Sequence, residues 1–269
     1  MIQLRRVSLP SDSLKELGTF QKKIDAVPDY AAKVTVAKAH FSLKNKSKNR
    51  TFVEVKKGLT RMCSGARRCV YCEDSCADEV EHIKPKDLYP ESTFLWDNYV
   101  YACGPCNGPK NNHFAVFSTA TGMLTDVTRE RSGPVVEPEP GSSVLINPRW
   151  EDPLKFMELD LLDTFLFLPT KPKGSKDRER AEYTIEVLKL NDRDVLLKAR
   201  KEAYESYEAR LSRYITLRDR GEPTTNLKNR IRALKRMHHP TVWKEMQRQY
   251  SLIPDLHQLF NDAPEALAW

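Results

Sequence analysis

No stretch of the 269 residues is apolar for long enough to span a bilayer, so a membrane role is not expected. An N-terminal apolar segment of the secretory kind is also missing, because the chain opens with the basic run Met1-Ile2-Gln3-Leu4-Arg5-Arg6. Both absences bear on the cysteines. Only six are present, and disulfide frameworks belong to small secreted chains, so these thiols are expected to be reduced and the protein cytoplasmic. No internal repeat is found. No base-reading motif stands out either, and phosphate chemistry is common to DNA and RNA. The length is enough to bury one substantial core or two modest ones without relying on metal alone.

Charge is present but uneven. Net charge is +7, from 44 Lys+Arg against 37 Asp+Glu. Residues 1–60 carry 13 basic and 5 acidic side chains, residues 61–170 carry 10 and 17, residues 171–250 carry 21 and 12, and the tail carries none and 3. Basic flanks around an acidic middle suit a protein that neutralises phosphates at its edges and holds a divalent cation at its centre. Solvated helical faces give the same statistics.

The cysteines have metal spacing. Cys69–Cys72 and Cys103–Cys106 are two Cys-X2-Cys knuckles, the donor set of a tetrahedral structural Zn2+. Cys63 and Cys76 fall outside the pairs, with Cys76 near enough to Cys72 in sequence to substitute. Four buried small hydrophobes would be the alternative.

Between the knuckles lies Glu81-His82-Ile83-Lys84-Pro85-Lys86. Hydrolysis of a phosphodiester needs an activated water and a cation for the developing charge. His82 is a base that titrates near neutrality, while Glu81 and Asn107 offer hard oxygens. Neighbours on a flat strand point to opposite faces, so Glu81 and His82 serve one phosphate only if the strand bends or the phosphate crosses its edge.

These residues resemble the HNH nuclease superfamily of ββα-metal fold, in its zinc-knuckle form. The matching text is Cys69-Val70-Tyr71-Cys72, Glu81 to Lys86, Trp96-Asp97-Asn98-Tyr99 and Cys103-Gly104-Pro105-Cys106-Asn107-Gly108-Pro109-Lys110. The resemblance implies that His82 is the general base, Asn98 steadies the turn, and Glu81 with Asn107 holds Mg2+ or Mn2+. Glu81 stands where many members have Asp, and Asn107 where many have His. His113 is a further candidate donor, though an exposed surface histidine is the plainer reading. A zinc knuckle that binds nucleic acid or acts as a scaffold without cutting is the alternative.

The expected fold class is α+β, a zinc-stapled ββα-metal HNH module embedded between helical N- and C-terminal regions. The divisions are 1–60 (helical arm), 61–120 (module), 121–176 (loop and strand connection) and 177–269 (helical, partner docking). Helices are predicted from Ser11 to about Phe41 with a break near Pro28 and an apolar side including Leu14, and then from Phe52 to Met62. Further helices are predicted after Asp177, from Asp194 to about Arg220, and over Asn226–His238 and Thr241–Tyr250. Leu145-Ile146 and Leu161 to Leu168 read as short strands able to pair. Lys38 to Arg50 has five cations and no acid, and Lys44, Lys46, Lys48 and Arg50 are candidate phosphate contacts.

Past the module, Tyr89-Pro90-Glu91, Asn147-Pro148 with Asp152-Pro153, and Ala181-Glu182-Tyr183-Thr184-Ile185 with Leu188-Lys189-Leu190-Asn191 resemble the HNH subunits of bacterial Septu and certain retron anti-phage systems. This implies a nuclease, with DNA favoured over RNA, aimed or restrained by an ABC-type ATPase partner. The N-terminal arm departs from that pattern. Tyr204, Tyr207, Tyr214, Trp243, Tyr250 and Trp269 suit docking or base stacking, or fill a helical core.

Overall fold

Pro28 does break the first helical stretch. In the computed structural model, which describes residues 1–130 and 132–269, the arm forms α1 (Ser11–Asp25), α2 (Tyr30–Lys44) and α3 (Arg50–Met62). Asp29 caps α2 by accepting from the Ala32 amide at 2.7 Å, and Asn49 caps α3 by accepting from Phe52 at 3.1 Å. Each such cap contributes about 1 kcal/mol. Leu17, Phe20 and Ile24 of α1 are buried with Phe52, Val55 and Leu59 of α3. Leu14, expected on the same apolar side, is 42 % exposed. It sits in the first turn of α1, at the rim of a surface groove beside Leu95 and Trp150.

α3 packs on an antiparallel hairpin, β1 (Glu79–His82) with β2 (Tyr99–Ala102), in which Glu81 lies opposite Val100 and His82 opposite Tyr99. All of β2 is buried, which fits its apolar sequence Tyr-Val-Tyr-Ala. A short helix, α4 (Gly104–Lys110), follows directly and lies against β1.

The connection departs from the sequence reading. β3 (Ala115–Ser118) is flanked by β4 (Leu124–Asp126) and β5 (Gly141–Ser143) in one antiparallel sheet. Leu145 and Ile146 are buried but lie outside any strand, because the ladder ends at Ser143. Within the run from Leu161 to Leu168, only its end joins β7 (Phe167–Pro169), and the partner is β6 (Met157–Leu159). Three-residue strands carry too little alternation to be read from sequence. Gly141 has no room for a side chain, since a Cβ would lie 2.3 Å from the Phe117 carbonyl oxygen.

The remainder is α5 (Lys176–Val187), α6 (Asp194–Asp219), α7 (Thr224–Lys235), α8 (Pro240–Gln249) and α9 (Pro254–Asp262). The C-terminal aromatics face inward. Trp243 stacks on Tyr207 and Trp269, with centroids 5.4 and 6.3 Å apart, and Tyr214 meets Trp269 edge-on at 4.7 Å. Tyr250 is half-buried and packs on Phe260. Of the readings open for Trp243, Tyr250 and Trp269, their packing fits the helical core, since these rings hold the C-terminal helices together.

One apolar core runs from Met1 through α1, α3, β2 and α6 to Ala266. The Met1 amino group joins it by donating to Thr241 Oγ1 at 2.6 Å and pairing with buried Glu73 at 3.2 Å. Glu73 also accepts from the Thr241 amide at 3.0 Å, so the first knuckle is tied to the start of α8. No helix among the described residues is long and apolar enough to cross a membrane.

Candidate active site and metal centre

The two knuckles close on each other. Cys103 immediately precedes α4 and Cys106 lies in its first turn, while Cys69 and Cys72 lie in the loop before β1. All four Sγ atoms fall within 4.8 Å of one another and all four residues are buried. Cys72 Sγ is 3.8 Å from Cys103 Sγ. A tetrahedron with zinc–sulfur bonds of about 2.3 Å has edges of about 3.8 Å, so this donor set fits a structural zinc ion. Hydrogen bonding from neighbouring thiols pulls Cys72 and Cys103 down, while burial pushes Cys69 up. Arg193 donates to Cys106 Sγ at 3.2 Å and offsets the negative charge of a four-thiolate centre. Cys63 and Cys76 stay outside. The Cys63 thiol bonds back to Leu59 and is pushed by burial up to about 12, and Cys76 is exposed beside Arg67.

His82 is held in one tautomer. Its Nε2 lies 2.9 Å from the Thr93 carbonyl oxygen, which can only accept, so Nε2 carries the proton and Nδ1 is left as a lone-pair acceptor. Phe41 and Tyr99 hold the ring edge-on at 4.5 and 5.1 Å. Burial pushes His82 down to about 3, so the ring is neutral at physiological pH. Its residue lines a cleft of about 410 Å³ shared with Glu79, Glu81, Lys86 and Asn107. Glu81 and His82 both line this opening, and the chain bends directly after His82.

The two carboxylates of β1 that share a face have different partners. Glu81 Oε1 lies 2.5 Å from the ammonium of Lys110, which is fully buried and also donates to the His82 carbonyl at 2.8 Å. Burial pushes the Glu81 carboxyl up, and Lys110 pulls it back. Asn107 is turned toward Glu79 instead, its amide 2.5 Å from Glu79 Oε2. The sequence reading missed both Glu79 and Lys110. Glu79 was accessible from the i, i+2 periodicity of a strand, and Lys110 from its place three residues after Asn107 on a helix.

Asn98 is saturated by main-chain groups. It accepts from the Lys84 amide at 2.8 Å and donates to the Lys84 and Ser92 carbonyls at 3.0 and 2.9 Å. That clamps the loop leaving β1 onto the turn entering β2. Arg149 secures the same turn, bonding Asp97 at 2.8 Å and the Tyr99 carbonyl at 2.9 Å and lying over Trp96.

One stretch is similar to a known protein. Over 51 residues the chain is 45% identical to the Septu protein PtuB of Bacillus thuringiensis, covering 17% of this chain and 20% of that relative. The chain thus matches about a fifth of the curated relative's length. No family model and no solved structure matches.

The basic strip divides. Lys44 lies over the Phe20 ring at 4.6 Å, and Lys48 and Arg50 line a groove with Asp12, Glu16 and Glu54. Lys46 is exposed, and Asn45 beside it reaches the His82 cleft. His113 is exposed, 3.4 Å from Thr128 Oγ1, and does not line that cleft.

Proposed function

We propose that this chain is a metal-dependent endonuclease of HNH type, acting on DNA in preference to RNA within an anti-phage defence assembly. Residues 61–120 would be the cutting module, carried by the 1–60 arm and the helices after residue 177. The observation that carries this reading is His82, neutral, with Nε2 fixed on a carbonyl and Nδ1 left as an acceptor, in a residue that lines a cleft with Glu79, Glu81 and Asn107. A neutral imidazole with one committed nitrogen is arranged to take a proton with the other.

In this mechanism Nδ1 of His82 removes a proton from the water that attacks phosphorus. Asn98 keeps the β1 loop, and hence the ring, in place. Lys86, which lines the cleft, faces the phosphate charge. Mg2+ or Mn2+ would be held by Asn107 with a β1 carboxylate, and such an ion stabilises charge on the phosphoryl and leaving oxygens. The resemblance names Glu81 for that carboxylate, while Glu79 is the one already against Asn107 and not neutralised by Lys110. Two hard oxygen donors side by side suit an ion that keeps most of its water ligands.

The Septu likeness supports a multi-protein setting, and we propose an ABC-type ATPase as the partner. Incubating the purified protein with plasmid in Mg2+, Mn2+ or EDTA tests the activity. Nicking that needs added divalent ion is expected, and a zinc-replete protein that never cuts, alone or with its partner, would leave the scaffold reading.

A further inference from the structure

A second opening on the molecule is lined by cations that form no ion pair among the described residues. It is a cavity of about 530 Å³ between the first residues of the chain, the end of α3, the loop into the first knuckle and the end of α7. Arg5, Arg61, Arg67, Lys235 and Arg236 line it, brought together from four separate parts of the sequence. None of the five makes an ion pair among the described residues. Arg5 and Arg61 bond main-chain carbonyls, and Arg67 bonds the Cys76 thiol. The one carboxylate at the cavity, Glu73, is 3 % exposed and already engaged by the Met1 amine and by Thr241.

Five cations around one hollow repel each other, and an anion of several charges relieves that repulsion. Four of the five are arginines, which favour phosphate, whose oxygens match the guanidinium fork. No aromatic ring or histidine lines the cavity, so a base would find nothing to stack on. The opening shares no residue with the His82 cleft.

We infer that this cavity is a phosphate-binding site, separate from the His82 cleft, that recognises a run of phosphates and not bases. The run is supplied either by a free oligophosphate or by the backbone of a nucleic acid strand. The inference rests on the charge balance and does not depend on the nuclease reading.

The test uses the full chain with two probes, inorganic triphosphate by calorimetry and a fluorescent DNA oligonucleotide by anisotropy. Lys235→Ala/Arg236→Ala is the informative variant, since both side chains are exposed and make no hydrogen bond or ion pair among the described residues, and Lys228→Ala/Arg230→Ala on the far part of the same helix is the control. Triphosphate affinity should fall about tenfold or more in the first variant and little in the control, as expected for lost charge-assisted contacts. A parallel loss of oligonucleotide affinity identifies a strand backbone as the occupant, and unchanged oligonucleotide affinity identifies a free oligophosphate. Absence of triphosphate binding to the wild type, or equal losses in variant and control, overturns the proposal.

Discussion

At the scale of single residues, His82 combines a fixed tautomer with a pKa far below its ordinary value. His82→Ala should lower plasmid cleavage by about two to four powers of ten while zinc content stays at one equivalent. Cleavage within threefold of wild type would remove His82 from the mechanism. Burial holds the ring neutral down to about pH 3. The rate profile should therefore show no acid limb from His82 near 6.5, and a limb there that disappears in a variant of another residue would reassign it. For stability the sign is fixed by the same shift. The unfolded chain takes up a proton at about 6.5 and the folded ring does not, so this contribution is complete above that pH and is lost as pH falls toward 3.

Glu79 and Glu81 are separable by metal affinity. Glu79→Gln should weaken Mn2+ binding, read as free Mn2+ by electron paramagnetic resonance, more than Glu81→Gln does. The reverse order would return the ligand role to Glu81. Glu81 has a second duty, because it balances buried Lys110. Lys110→Met should destabilise the fold by about 3–5 kcal/mol in urea unfolding, since it leaves a buried carboxylate unpaired. Lys110→Met combined with Glu81→Leu should recover much of that loss. Failure of the pair to recover would mean that Lys110 acts through the His82 carbonyl alone.

At the scale of elements, a zinc ion on the four-cysteine cluster would decide whether β1, β2 and α4 hold together. Four-residue strands and a seven-residue helix are marginal alone. Binding free energy of structural zinc, about 10 kcal/mol or more, would then be folding free energy. Cys69→Ser or Cys106→Ser should lose zinc by elemental analysis and expose this segment to protease. A folded Cys106→Ser protein with one full equivalent of zinc would show that another thiol has replaced it. The helix break near Pro28 needed only local sequence to be read. The strands β3 to β7 did not yield to that reading, because their lengths are set by pairing with distant segments.

At the scale of the whole molecule, a single core joins the arm, the hairpin and the C-terminal helices. Truncation before Gly221 removes Trp243 and Phe260 from that core, so the shortened chain should unfold or aggregate instead of merely failing to find its partner. A well-folded truncation with a sharp thermal transition would show that the last helices pack independently. A partner's docking surface is therefore to be sought with surface variants of the full chain.

The sequence by itself determined the four-cysteine cluster and the helix break near Pro28, because metal-ligand spacing and a proline's effect on a helix are local properties of consecutive residues. Tertiary structure alone decided that Asn107 faces Glu79, that Lys110 neutralises Glu81, that Thr93 fixes the His82 tautomer and that the C-terminal aromatics are interior. Each of these depends on which remote groups come within hydrogen-bonding or packing distance once the chain closes, and on how little water remains between them. Residue order alone does not contain that information in a form that spacing rules can read.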